Sequence, residues 1–116
     1  MRVTRVVPNL TVSDTAAANR FYADTLGFTI ADDFGWVGFL TAPESGPVEL
    51  HTVTHDETAP VESVVSIAVD DVDEAYRRVR EAGADIVHEL QEEQWGVRRF
   101  FFRDPDGNVI NVVAHR

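Results

Sequence analysis

Glu49 and His51 lie two residues apart, so on an extended segment their side chains share one face, where a carboxylate beside an imidazole is a candidate general base. His115 lies four residues beyond Asn111 and shares a face with it in the same way, while His55 and His88 fall in or near connecting segments. No HxH pair occurs, which leaves hydrogen-bonded or solvent-facing histidine as the default and a displaced metal site as the exception. Other chemistries are excluded by residue type. There is no cysteine, hence no disulfide, thiolate nucleophile or cysteine zinc site. All ten basic residues are arginine, which removes Schiff-base lysine chemistry and a phosphate-loop lysine. The serines at 13, 45, 63 and 66 stand in no Gly-x-Ser-x-Gly or other triad context.

The elements that must position these residues come in two copies. Val3 to Val12 is rich in β-branched residues and reads as a strand, with Pro8 as an edge or hinge position because it cannot donate a ladder hydrogen bond. Ser13-Asp14 supplies an N-cap, and Ala18, Phe21, Tyr22 and Leu26 recur at helical spacing, an amphipathic helix stopped at Gly27. Short strands follow near 28–31, 35–42 and 48–54, with Pro43 to Pro47 as a turn, and 55–60 is a polar connector. Then the order repeats. A strand spans 64–69, Asp70-Asp71 caps a helix carrying Val72, Ala75, Tyr76, Val79 and Ala82, Gly83 stops it, and strands lie near 86–88, 97–103 and 108–114. Asp104-Pro105-Asp106-Gly107 is the turn between the last two. A period of about 57 residues that occurs only twice predicts two βαβββ modules, about 1–55 and 61–116, in a single α+β domain over 1–116. Each helix covers one face of its strands, so the other faces are expected to form a cupped mixed sheet around a ligand-sized cleft.

The chain has 116 residues, 44% of them hydrophobic, enough for one core but not two independent domains. Its net charge of -10 disfavours nucleic acid and anionic membranes as partners and favours a neutral or cationic ligand. No apolar run approaches the roughly 20 residues that span a bilayer, and the first residues lack a signal-peptide core, so a cytoplasmic location is expected.

With Phe21-Tyr22, Leu26-Gly27-Phe28, Trp95-Gly96 and Arg103-Asp104-Pro105-Asp106-Gly107-Asn108, the sequence resembles the vicinal oxygen chelate superfamily over nearly its whole length. That superfamily holds glyoxalase I, extradiol dioxygenases, fosfomycin-resistance enzymes and bleomycin-resistance proteins. The resemblance places the metal ligands of its metalloenzymes on Val7, Glu49, Val64 and Asn111, of which only Glu49 is a good donor, so no metal and no other cofactor is expected. Val7-Pro8-Asn9-Leu10-Thr11, Asp32-Asp33-Phe34 and Trp95-Gly96-Val97-Arg98 resemble the metal-free bleomycin-resistance branch most closely. In that branch, rings at the positions of Phe34 and Trp95 sandwich a flat heteroaromatic ligand and acidic residues attract its cationic tail. The resemblance implies an arm-exchanged homodimer hinged at Pro8. It also implies a ligand site of Asp32, Asp33, Phe34, Glu49, His51, Trp95 and Asn111. Gln94 replaces the proline that precedes this tryptophan in the resistance proteins, so a planar natural product other than bleomycin is at least as good a fit. The competing expectation is an enzyme: either a metal-dependent lyase, dioxygenase or isomerase, or a metal-free one using Glu49 or His51 as base.

Overall fold

The computed structural model describes residues 1–115, and among them are eight strands and two α-helices. In order these are β1 (Val3–Thr11), α1 (Thr15–Leu26), β2 (Thr29–Asp33), β3 (Val37–Thr41), β4 (Glu49–Val53), β5 (Val65–Val69), α2 (Val72–Glu81), β6 (Asp85–Glu92), β7 (Val97–Arg103) and β8 (Val109–His115). A single 3-10 turn, Pro43–Ser45, precedes β4. The fold is α+β with mixed parallel and antiparallel pairing. None of the described helices is long and apolar enough to cross a membrane. The chain divides into two compact units, Val7–Thr58 and a second made of Met1–Val6 with the segment from Ala59 on.

In the first unit the strand order is β2-β3-β4-β1, antiparallel except for β4 with β1. A parallel neighbour cannot be reached by a hairpin, and α1 with β2 and β3 supplies the long connection that such a pair needs. Asp14 caps α1 by accepting from the Ala17 N–H, and Gly27 ends it at φ 81°, where a side chain would be strained. The face α1 turns to the sheet differs from the sequence expectation. Phe21 and Leu26 are 59% and 71% exposed, whereas Thr15 and Asn19 are buried. The reason is polar packing: Thr52 Oγ1 donates to Asn19 Oδ1 at 2.7 Å, and a Cβ on Gly38 would lie 2.3 Å from Asn19 Nδ2. Helix and strand approach there only because residue 38 has no side chain.

The second unit has the same plan, β5-β8-β7-β6, with β5 and β8 parallel and the rest antiparallel. Here the helix seat is apolar. Val72 and Ala75 of α2 pack with Val69, Phe100 and Val112, and Tyr76 meets Phe100 edge-on at 4.9 Å. Burial of a side chain such as Phe100 contributes about 1.5–3 kcal/mol. Asp71 caps α2 through the Glu74 N–H at 3.0 Å. The turn before β8 is built by Asp104, whose Oδ1 accepts from the backbone of Asp106 and Asn108 and whose Oδ2 accepts from the Asn108 side chain. The Asn108 amide foremost holds the Asp104 carboxyl below its usual range. At the other end of the unit, Arg2 exchanges backbone and side-chain hydrogen bonds with Asp70.

Candidate functional site

On the face of each unit turned away from its helix, strand register brings four residues into one transverse row. In the first unit the row is Asp32, Phe39, His51 and Asn9, across β2, β3, β4 and β1. In the second it is His88, Phe101, Asn111 and Ser66, across β6, β7, β8 and β5. Opposed residues on neighbouring strands share a face, so each row is a strip of neighbouring side chains with a phenylalanine at the same place and polar groups around it. The rows are counterparts in the repeat, and His51 therefore answers Asn111. Glu49, which the sequence resemblance sets beside Asn111 among the metal-ligand positions, answers Val109 instead.

The first unit's strip carries an acid–base pair. His51 Nε2 and Glu49 Oε2 are 2.9 Å apart, and both side chains are largely buried. The His51 ring lies 4.5 Å from Phe39, and Phe39 meets Phe34 edge-on at 5.5 Å. Phe34 stands in the β2–β3 turn, immediately before Gly35 at φ 87°. Asp33 fixes that turn, because its Oδ1 accepts from the Gly35 N–H at 2.8 Å and from Thr15 Oγ1 at 2.9 Å.

The second unit's strip is built on buried charge. Glu93 Oε1 is 2.8 Å from His88 Nε2 and accepts from Arg99 Nε at 2.9 Å, with all three side chains at most 8% exposed. The Arg99 guanidinium sits 4.9 Å from the centre of the Trp95 ring and 4.8 Å from that of Phe101. Trp95 occupies the β6–β7 turn, immediately before Gly96 at φ 90°. Along the strip, Asn111 Nδ2 donates to Ser66 Oγ at 3.0 Å, while its buried Oδ1 has no hydrogen-bond partner. Whichever way round the amide lies, it has a hydrogen bond left to make.

Of the residues singled out in the sequence, Glu49 and His51 are joined directly, and Asp32 shares the row of His51. Phe34 and Trp95 both stand on turns, 57% and 45% exposed. Asp33 is occupied in holding the turn, and Asn111 lies in the second row. His115 shares the strand face of Asn111 but faces Arg5, whose Nη2 is 3.1 Å from its Nε2. The Trp95-Gly96-Val97-Arg98 segment divides, since Arg98 pairs with Asp73 on the helix side, and that hydrogen bond raises its pKa. These two residues edge a shallow groove of about 180 Å³ with Asp70, Asp71, Val72 and Ala114.

The donors do not complete the metal site of the superfamily's metalloenzymes that the sequence resemblance maps onto this chain. Val7 and Val64 offer only carbon, which leaves Glu49 and the neutral amide oxygen of Asn111, a weak donor, out of the four positions. Among the described residues no three His, Cys, Asp or Glu groups gather as a metal site. The sequence reading missed Arg99 and Phe101 and put His88 at the end of a short strand near 86–88, whereas it lies inside β6, which runs on to Glu92. Alternation along β7 carried the signal: Val97, Arg99 and Phe101 fall on one face, opposite Arg98, Phe100 and Phe102.

Among solved structures the chain is similar to a glyoxalase/bleomycin resistance protein/dioxygenase superfamily member from Vibrio splendidus 12B01. The two are 26% identical over 95% of this chain and 97% of that one, with a TM-score of 0.71. It shares its fold with a methylmalonyl-CoA epimerase from Mycobacterium tuberculosis, at 22% identity, 98% and 89% coverage and a TM-score of 0.74. It also shares it with a Legionella pneumophila structure described as an NAD-dependent benzaldehyde dehydrogenase, at 17% identity, 97% and 100% coverage and a TM-score of 0.80. No curated protein matches the sequence. The sequence profile of the Glyoxalase/Bleomycin resistance protein/Dioxygenase superfamily matches residues 2–112, and the chain belongs to that superfamily.

Proposed function

We propose that this protein binds a small planar aromatic antibiotic or metabolite without a metal, stacking it between Phe34 and Trp95 contributed by different subunits of a homodimer, and that it sequesters this ligand rather than converting it. The observation that carries the reading is the pair of rings left in water at corresponding turns, each ahead of a left-handed glycine. An aromatic ring kept exposed forgoes about 1.5–3 kcal/mol of burial, which a ligand-binding surface recovers when occupied. Exposed Asp32 and Glu92 beside these turns, and the net charge of -10, favour a ligand with a positive substituent.

Calorimetric titration with acridine, uncharged at mildly alkaline pH, and with 9-aminoacridine, cationic there, tests this. Wild type should bind both, the cation more tightly at low salt, and Trp95→Ala or Phe34→Ala should each weaken binding about tenfold with the fold intact. Unchanged affinity in both folded variants would sink the reading. Protein purified without chelators should carry no stoichiometric zinc, nickel, manganese or iron. One equivalent that disappears in Glu49→Ala or His51→Ala would make those residues ligands.

One observation favours an enzyme instead: the hydrogen bond between Glu49 and His51 is a ready acid–base pair. A metal-free lyase or isomerase using it would exchange a proton next to a carbonyl with deuterated water, and His51→Gln would abolish that exchange. Sequestration predicts no exchange in either protein.

A further inference from the structure

We infer that Arg99 is a positioning residue for Trp95: its guanidinium, anchored by Glu93 and His88, is the spacer that holds the indole out as a stacking surface. The argument starts from a difference between the two units. In the first, the carbonyl that closes the β2–β3 turn belongs to Val37, two residues before the row residue Phe39, and Phe34 rests directly on Phe39 at 5.5 Å. In the second, the corresponding carbonyl belongs to Val97, four residues before Phe101. The turn therefore lies one further strand repeat away from its row, and Trp95 cannot rest on Phe101 as Phe34 rests on Phe39. Arg99 stands in that extra repeat with its guanidinium between the two rings, 4.9 Å from one and 4.8 Å from the other.

The row counterpart of Arg99 is Val37, buried like it but aliphatic. A buried arginine costs more to desolvate than a valine, and a buried glutamate adds to that cost, so apolar packing alone does not account for the choice. A guanidinium offers what an aliphatic side chain lacks. It is planar, stacks on aromatic faces on both sides, and is fixed in azimuth by a carboxylate at Nε. Glu93 is itself fixed by His88, so the spacer is tied to β6 as well as to β7.

This inference rests on the reading of Trp95 as a ligand-contacting ring, but the spacer itself is a property of the empty protein and is measured there. In a Trp36→Phe background Trp95 is the sole indole. Arg99→Met should let the ring settle toward Phe101, shifting its emission to shorter wavelength and lowering its acrylamide quenching constant about twofold, and acridine should bind about tenfold more weakly. Arg99→Lys, which restores charge but not the plane, should behave as Arg99→Met does. Glu93→Gln keeps the guanidinium and removes its charged anchor, so the shift should have the same direction and smaller size, and this variant carries the test if Arg99→Met does not fold. Unaltered emission and quenching in folded Arg99→Met, or in Glu93→Gln where that variant stands in, overturns the proposal, as does full restoration by lysine. A displaced indole with undiminished acridine affinity leaves the spacer standing and removes Trp95 from the ligand site.

Discussion

Asp33 accepts hydrogen bonds from Gly35, Thr15 and Asn19, whereas its neighbour Asp32 projects into the row of Phe39 and His51. The two carboxylates, alike in sequence, should therefore separate on mutation. Asp33→Ala should lower stability by about 1–3 kcal/mol, since it removes the acceptor of Asn19 Nδ2 and of the Gly35 N–H and frees the turn under Phe34. Asp32→Asn should leave the melting temperature almost unchanged and instead slow association of 9-aminoacridine, with a weaker dependence on salt, in stopped-flow measurements. The sequence alone marks both residues as acidic neighbours of an aromatic ring. It does not separate them, because the difference lies in which donors α1 presents to each. Likewise Arg99 reads in the sequence as one of two adjacent arginines; alternation puts them on opposite faces, and pairing across β6, β7 and β8 shows which enters the strip and which meets Asp73.

At the level of the element, α2 was legible and the inner face of α1 was not. Valine, alanine and tyrosine at helical spacing bury as their hydrophobicity dictates in α2. In α1 an asparagine is buried because Gly38 and Thr52 offer it a close polar seat, and a threonine because Asp33 and the Gly35 carbonyl accept from it, a complementarity no periodicity reveals. Gly38→Ala should cost about 1–3 kcal/mol in chemical denaturation, as the added methyl must displace Asn19 and Thr52 together. The surface of α2 makes a pH prediction. Hydrogen bonds from Arg77 and Arg78 lower the Glu74 pKa from 4.5 to about 2. A depressed carboxyl stabilises the folded state above its unfolded pKa and loses that contribution as acid protonates it. The gap in melting temperature between wild type and Glu74→Gln should thus be present, though small, at neutral pH and close between pH 4.5 and about 2.

For the molecule as a whole, the repeat of strand, helix and three strands could be read from capping residues, glycine stops and turn signals, and each unit adopts it. Assembly leaves fewer marks in a single sequence. Val3, Val6, Leu10, Phe21, Leu26 and Ile30 are all large, apolar and exposed. On that ground sedimentation at micromolar concentration is expected to give a homodimer, and a stable monomer would count against both the dimer and any exchange of an arm at Pro8. The division of β1 has a consequence in time. As the chain emerges from a ribosome, Met1–Val6 comes out ahead of every residue it belongs with, since Asp70, which bonds to Arg2, and His115, which meets Arg5, are made much later. This segment, made before the first unit, is among the last to find its place. A nascent chain halted after Thr58 holds all of the first unit, while Met1–Val6 still lacks the unit it belongs to.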